Sequence, residues 1–316
     1  MKKVFLIIIL AFAALPVFAN DTDKQDALLR DFLWKEFINT PKDQRVKTGL
    51  ALSAGGTRGF AHVGVLEVLE NAGTPVDMLT GTSMGAVIGS GYAAGLPVSR
   101  LWEIGENIRP DNVSKDLGST GLLKLVIGGK LPSSKNFETF LEETLQGKNI
   151  EDLNIPFACP AMDIKTGEKI LFTSGPAALA VRASMNLPGI FEPVEYRQRQ
   201  LVDGGVVDYL PVDAVRNLGA QYVIASLPLQ DYSGVVPKTV AAYLLRIGDI
   251  RGAILTEEAV AKANFVIRIK VPNIEVLDFN KLPIAAELGI RETYRVLPML
   301  QEDLIIFNIK YREHEK

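Results

Sequence analysis

The sequence predicts an α/β layer fold with a mainly parallel central sheet, and three observations carry that prediction. From Val46 onward, short apolar strands alternate with helical patterns, the texture of a layered α/β domain. Two of these strands run straight into glycine-bearing turns that open helices, Ser53–Gly59 after Leu50–Leu52 and Gly81–Gly85 after Val76–Leu79. The 316 residues are 47% hydrophobic, and no Pro/Gly/Ser-rich linker divides them. A chain of this size buries roughly three quarters of its unfolded surface, enough for one large core.

Taken in order, Lys2 and Lys3 precede an almost unbroken apolar segment, Val4–Phe18, closed by Val17-Phe18-Ala19 with small residues where a signal peptidase reads. Residues 1–19 therefore read as a secretory signal, which makes the protein exported, periplasmic or secreted. A transmembrane anchor is the competing reading, but the stretch falls short of the about 20 residues that a span needs. In residues 20–46, Leu28, Leu29, Phe32, Leu33, Phe37 and Ile38 recur at helical spacing, an amphipathic helix that packs on the main domain or lies on a membrane surface. The α/β texture then runs over 47–316, with the motifs in 48–220 and a C-terminal extension in 221–316. Strands are expected near 47–53, 76–80, 157–163, 168–173, 221–226 and 264–270, and helices over Lys238–Ala263 and about Ile284–Ile306. Between 111 and 134, Gly118, Gly121, Gly128, Gly129 and Pro132 bracket the apolar run Leu122–Ile127. That segment reads either as a mobile lid or as an irregular crossover.

Charge and cysteine usage exclude several classes. A formal net charge of −3 carries no basic footprint for nucleic acid. The single cysteine, Cys159, permits no intrachain disulfide and stands far from any lipoprotein cleavage site. One cysteine and two distant histidines argue against zinc, and no calcium-loop signature is present. No metal and no cofactor is expected.

Three pieces carry chemistry. Gly81-Thr82-Ser83-Met84-Gly85 is a GxSxG pattern at a strand end, the form of a nucleophile elbow. The helix after it holds Gly85, Gly89 and Gly91, each costing up to about 1 kcal/mol against alanine, which asks for close packing on the preceding strand. Ser53-Ala54-Gly55-Gly56-Thr57-Arg58-Gly59 can converge backbone N–H groups on an anion at a helix N-terminus. A dinucleotide-binding turn would need glycine where Ala54 stands. As an oxyanion hole the loop would include Gly55, Gly56 and Thr57, with Arg58 adding a fixed charge or forming an ion pair. Third, Asp203-Gly204-Gly205 follows the apolar pair Leu201-Val202 and is at minimum a turn.

Histidine scarcity orders these pieces. His62 lies three residues into the helix after the glycine loop, where a core or supporting role is favoured. His314 is three residues from the end of the chain. Neither suits a Ser-His-Asp triad, whereas a serine and a carboxylate acting as a dyad fit what is present.

At these residues the chain resembles the patatin-like phospholipase family. The glycine loop 55–59, the elbow 81–85 and Asp203-Gly204-Gly205 stand in the family's order. Val181–Phe191 and Met162–Glu168 are similar to its intervening segments. The resemblance implies a three-layer α/β/α fold and metal-free hydrolysis of phospholipid or lysophospholipid acyl esters. It would make Ser83 the nucleophile, Asp203 the base and the loop of Gly55, Gly56, Thr57 and Arg58 the oxyanion hole, as in the compact bacterial members. One departure is Asp208, where many members carry asparagine. The rival readings are an α/β-hydrolase triad using His314 and a non-catalytic exported lipid-binding protein.

Overall fold

The computed structural model describes residues 24–107, 131–230, 236 and 240–314. The signal segment, and residues 111–130 of the glycine-bracketed segment with all of Leu122–Ile127, lie outside them. The chain forms two compact units, Lys47–Val296 and a smaller one of Met1–Val46 with Leu297–Lys316.

In the smaller unit, α1 spans residues 24–39. Its Trp34 and Phe37 are buried while Leu28, Leu29 and Phe32 are exposed. The grouping of the C-terminal residues with α1 was not anticipated from the sequence. It follows from contacts 260 and more residues apart in the chain: Arg30 Nη1 donates to Glu302 Oε1 at 3.2 Å, and the Val46 N–H donates to Asn308 Oδ1 at 3.0 Å.

The larger unit opens with β1 (Thr48–Leu52) and continues through α2 (Ala61–Asn71), β2 (Met78–Gly81), α3 (Met84–Ala93) and α4 (Val98–Asn107). After 131 come α5 (Lys135–Thr144), β3 (Phe157–Asp163), β4 (Lys169–Phe172), α6 (Ala177–Ser184), β5 (Val194–Tyr196) and β6 (Arg199–Asp203). Then follow α7 (Val212–Asn217), β7 (Tyr222–Leu229), α8 (Val240–Lys262), β8 (Phe265–Lys270) and α9 (Leu282–His314), the last running on into the smaller unit. The six strands expected from the sequence are present. The β5–β6 hairpin, which turns at Arg197 and Gln198, was not foreseen; the Asp-Gly signal marks only the end of β6.

The sheet order is β5-β6-β3-β2-β1-β7-β8, with β4 also on β3. The centre, β3-β2-β1-β7-β8, is parallel, whereas β4, β5 and β6 join antiparallel at one side. Every residue of β1 and β3 is buried, as strands covered on both faces require. Alternation along the strands splits the two faces. Ala51, Met78, Val223 and Ala225 meet Val212 and Val215 of α7, Ala259 and Val260 at the end of α8, and Ala263 just past it. The other face meets α3 so closely that a Cβ on Gly89 would lie 2.5 Å from Leu79 Cδ2. The glycine-rich side of α3 thus has the packing reason that its sequence called for, and the result is helix, sheet, helix.

Candidate active site

Ser83 sits between the end of β2 and the start of α3 with φ 54° and ψ −120°. Positive φ at a residue with a Cβ costs on the order of 1–3 kcal/mol and persists only where the surroundings over-determine it. They do so here. The Thr82 N–H donates to Leu52 O at 3.1 Å, the Gly85 N–H to Thr82 O at 2.8 Å, and the Ser83 N–H to Ser184 Oγ at 3.2 Å. The turn is so tight that a Cβ on Gly81 would meet Gly85 O at 2.1 Å, and one on Gly85 would meet Leu52 O at 2.6 Å. Both glycines of the GxSxG pattern are therefore required sterically.

Asp203 ends β6. Sheet register brings it to Ser83: Thr80 pairs with Ala158 of β3, and Asp203 pairs with Ala161. Ala161 lies three residues past Ala158, as Ser83 lies three past Thr80, so both side chains stand level along the sheet. The Asp203 carboxyl is buried, accepts the Gly205 N–H at 2.7 Å and hydrogen-bonds the Ser83 side chain. Burial raises its pKa from 3.8 to about 6, against the opposing pull of the Gly205 and Ser83 hydrogen bonds.

Support for Asp203 comes from the Arg182–Asn186 segment. The Asp203 N–H donates to Asn186 O at 2.9 Å. Asn186 Oδ1 accepts from Ser134 Oγ at 2.6 Å, and that hydroxyl accepts Arg182 Nε at 2.9 Å, with Arg182 also paired to Glu138. The sequence marked this block by resemblance only; its buried Arg, Ser and Asn side chains are what it contributes.

The glycine loop needs a correction at two of its four expected positions. The Thr57 N–H donates to Val276 O at 2.9 Å and the Arg58 N–H to Gly55 O at 3.1 Å, so neither amide is open to a ligand. The Arg58 side chain also turns inward. It is buried, with Nη2 2.5 Å from Asp249 Oδ2 and Nη1 on Gln230 and Ile274 O. Gly55 and Gly56 remain as loop residues facing the same cavity as Ser83 and Asp203.

His62 is fully buried, with Nε2 2.9 Å from Ser53 O and Nδ1 2.8 Å from Ser226 Oγ. A carbonyl only accepts, so Nε2 carries the proton and Nδ1 accepts from the serine hydroxyl. Burial lowers the His62 pKa to about 4 despite the Ser53 hydrogen bond. A neutral imidazole with both nitrogens engaged pins the start of the glycine loop and is not a base for Ser83. Asp208 is likewise resolved: its carbonyl accepts Thr82 Oγ1 at 2.9 Å, a bond any residue there can make, while its carboxylate pairs with Lys169 at 2.9 Å.

The cavity holding these groups has a volume of about 410 Å³. Beyond Ser83, Asp203, Gly55 and Gly56, its wall is mainly apolar, with Leu187, Val206 and Val276 and, from α8, Leu244, Ile247 and Gly248; Tyr209 and Asp249 also line it. Sequence reasoning missed this α8 wall and its anchor, Asp249. The available signal was one carboxylate among apolar residues between Tyr243 and Leu255. The arrangement can activate a hydroxyl, bind an oxyanion and hold a hydrocarbon chain.

The family model described as patatin-like phospholipase matches residues 50–216, more than half of the chain, a span that includes Gly55, Gly56, Ser83, Asn186 and Asp203. Among curated proteins, an uncharacterized NTE family protein of Mycobacterium tuberculosis is 34% identical over 184 residues, covering 57% of this chain and 48% of that one. Patatin-like phospholipase domain-containing protein 6 of Mus musculus is 36% identical over 192 residues, 57% of this chain and 14% of that one. Lysophospholipase NTE1 of Mycosarcoma maydis is 34% identical over 177 residues, 56% and 9% respectively. The chain thus spans about half the length of the first and a small part of the others. Among solved structures, VipD of Legionella pneumophila aligns with a TM-score of 0.48 at 14% identity, covering 80% of this chain and 67% of that one.

Proposed function

The chain belongs to the patatin-like phospholipase family, and from that premise we propose that it is a serine lipid acyl hydrolase, cleaving carboxylic esters of phospholipids or lysophospholipids through Ser83 and Asp203. One observation carries the reading: a serine held at a strained elbow shares an apolar cavity with a buried carboxylate of raised basicity. The relative named a lysophospholipase supports the substrate class.

In the proposed cycle, Asp203 accepts the Ser83 Oγ proton as Oγ attacks the acyl carbonyl carbon. Negative charge on the carbonyl oxygen is met by the Gly55 and Gly56 N–H groups, a contribution worth roughly a hundredfold to a thousandfold per donor. Collapse of the tetrahedral intermediate expels the alcohol half of the lipid, which takes the proton from Asp203 and leaves the acyl chain on Ser83. Water then gives its proton to Asp203 and attacks the acyl-enzyme, releasing the fatty acid and restoring Ser83. A carboxylate is a weak base for a hydroxyl, and burial that lifts its pKa to about 6 narrows the gap.

The test is hydrolysis of a phospholipid and lysophospholipid panel, with a fluorophosphonate probe read by peptide mass. Expected is ester cleavage with the adduct on Ser83. A protein that takes up lipid yet leaves the probe unreacted would instead be a carrier. We also infer export from Lys2, Lys3 and the apolar Val4–Phe18; recovery of a chain beginning near residue 20 outside the cytoplasm tests that.

A further inference from the structure

An exposed apolar stripe runs along α8. Tyr243, Ile247, Ile250 and Ile254 stand at i, i+4, i+7 and i+11, which places them on one helix face over about 16 Å. All four are exposed, Ile254 at 68%. Leu244 flanks them, also exposed at 58%. Contiguous apolar surface of this kind marks an interaction site.

Three features of the same helix identify what covers it. Leu244 and Ile247 are exposed and at the same time line the cavity that holds Ser83, so the stripe and the cavity wall are one continuous apolar surface. Whatever lies on the stripe lies at the cavity's opening. The one acidic side chain between Tyr243 and Leu255, Asp249, is turned inward to Arg58 at 2.5 Å and accepts from Tyr209 Oη at 3.1 Å. Between Tyr243 and Leu255 the outer face can therefore approach hydrocarbon without desolvating a carboxylate. Finally, α8 buries Asp249, Gly252 and Thr256 along its inner side and exposes the apolar stripe along its outer one. A helix seated on the protein by one side and apolar along the other can lie in the interface plane of a bilayer.

We propose that α8 is the lipid-docking surface of this protein, lying on a bilayer so that an ester chain passes from the leaflet between Leu244 and Ile247 to Ser83. The inference rests on the lipid-ester reading above. A second copy of the chain seated on the stripe would close the cavity opening, whereas a bilayer supplies the cavity with its occupant.

The experiment uses the full-length chain carrying Ser83→Ala, with and without Tyr243→Asn, Ile250→Asn and Ile254→Asn, none of which lines the cavity. Binding is read by flotation with phosphatidylcholine vesicles containing one-fifth phosphatidylglycerol. Any affinity contributed by residues 4–18 is common to both chains. Expected is a loss of about tenfold or more in vesicle binding by the triple variant. The same three substitutions on active protein should leave turnover of a short-chain, water-soluble ester unchanged, so that failure of docking is read separately from failure of Ser83 chemistry. An environment-sensitive fluorophore on Ile254→Cys should brighten and shift to the blue on the same vesicles; the native Cys159 is buried and its thiol pKa is pushed up by burial. Equal vesicle binding by the triple variant, or a label at 254 that does not respond, overturns the proposal. So does a dimer in solution that the triple variant converts to a monomer, which would make the stripe a contact between copies.

Discussion

The two walls of the cavity around Ser83 are built by opposite means. The polar wall, made by the ends of β1, β2 and β6 and the glycine loop, is buried and tied down by backbone hydrogen bonds and by His62, Ser184 and Asn186. The apolar wall is one side of α8, whose residues 244 and 247 are more exposed than buried. It joins the polar wall through the Arg58–Asp249 pair and the Tyr209 hydroxyl. Groups that must hold sub-ångström geometry are placed by the sheet, and the surface that must admit a variable hydrocarbon is a helix with room beside it. The division predicts that substitutions on one wall act on chemistry and substitutions on the other act on attachment and selection.

The largest effect belongs to the polar wall. Ser83→Ala and Asp203→Asn should each lower ester turnover by about a thousandfold or more while circular dichroism and the unfolding midpoint stay at or above those of the wild type. More than a few per cent of residual turnover in either variant would end the dyad.

Next comes the joint between the walls. Arg58→Met leaves Asp249 as a buried charge without its guanidinium, a change that costs roughly 3–5 kcal/mol in comparable sites. Urea unfolding at pH 7 measures it. The double variant Arg58→Met, Asp249→Leu should recover much of that loss, because both charges are then gone. If the double variant is no better than the single one, the pair is not what fastens α8 to the loop.

Titration of Asp203 distinguishes the walls by pH. The proposed base must be ionised, so turnover should rise with pH through about 6 and level off above it. The stability effect has the opposite sign. A carboxyl whose folded pKa lies above its unfolded value is protonated more readily in the fold, so its contribution is lost as pH rises from 3.8 through about 6. A shift of that size is worth about 3 kcal/mol at pH 7. Asp203→Asn, which keeps the acceptor for the Gly205 N–H, should therefore be inactive yet more stable than the wild type at pH 7–8, with the gain vanishing near pH 4. Equal stability at pH 7–8 would show that the carboxyl is not strained by burial.

The same contrast explains what was legible in the sequence. The central strands are apolar on both faces and bounded by glycine turns, so β1, β2, β3, β7 and β8 stood out, and the GxSxG pattern encodes its own geometry because Gly81 and Gly85 are sterically forced. Asp203 was visible as an acid beside two glycines, but the short β5–β6 hairpin that raises it level with Ser83 depends on antiparallel pairing with β3, a contact some forty residues away. Arg58 announced a charge in the glycine loop. Its partner, 191 residues on, decides that the charge points away from the site. The apolar wall was unreadable for a simpler reason: α8 is apolar on its sheet side and on its outer side, so periodicity alone does not say which face meets the core.

The smallest expected effect tests the apolar wall most directly. Gly248 lies inside α8, where glycine costs up to about 1 kcal/mol relative to alanine. Its backbone does not need positive φ, and a Cβ built on it would meet no atom within 4 Å. By contrast, a Cβ on Gly252, one turn later, would lie 2.2 Å from the Tyr209 ring, so packing accounts for glycine there. What Gly248 does is leave the cavity open beside Leu244 and Ile247. Gly248→Ala should then stabilise the protein by about 0.5–1 kcal/mol in urea unfolding, since the helix gains and no neighbour is displaced. Gly248→Leu should fill the space instead, lowering kcat/KM for a long-chain ester about tenfold relative to a short-chain one. Equal loss on both esters would mean that the hydrocarbon does not run along α8, and the two walls would then share a single task.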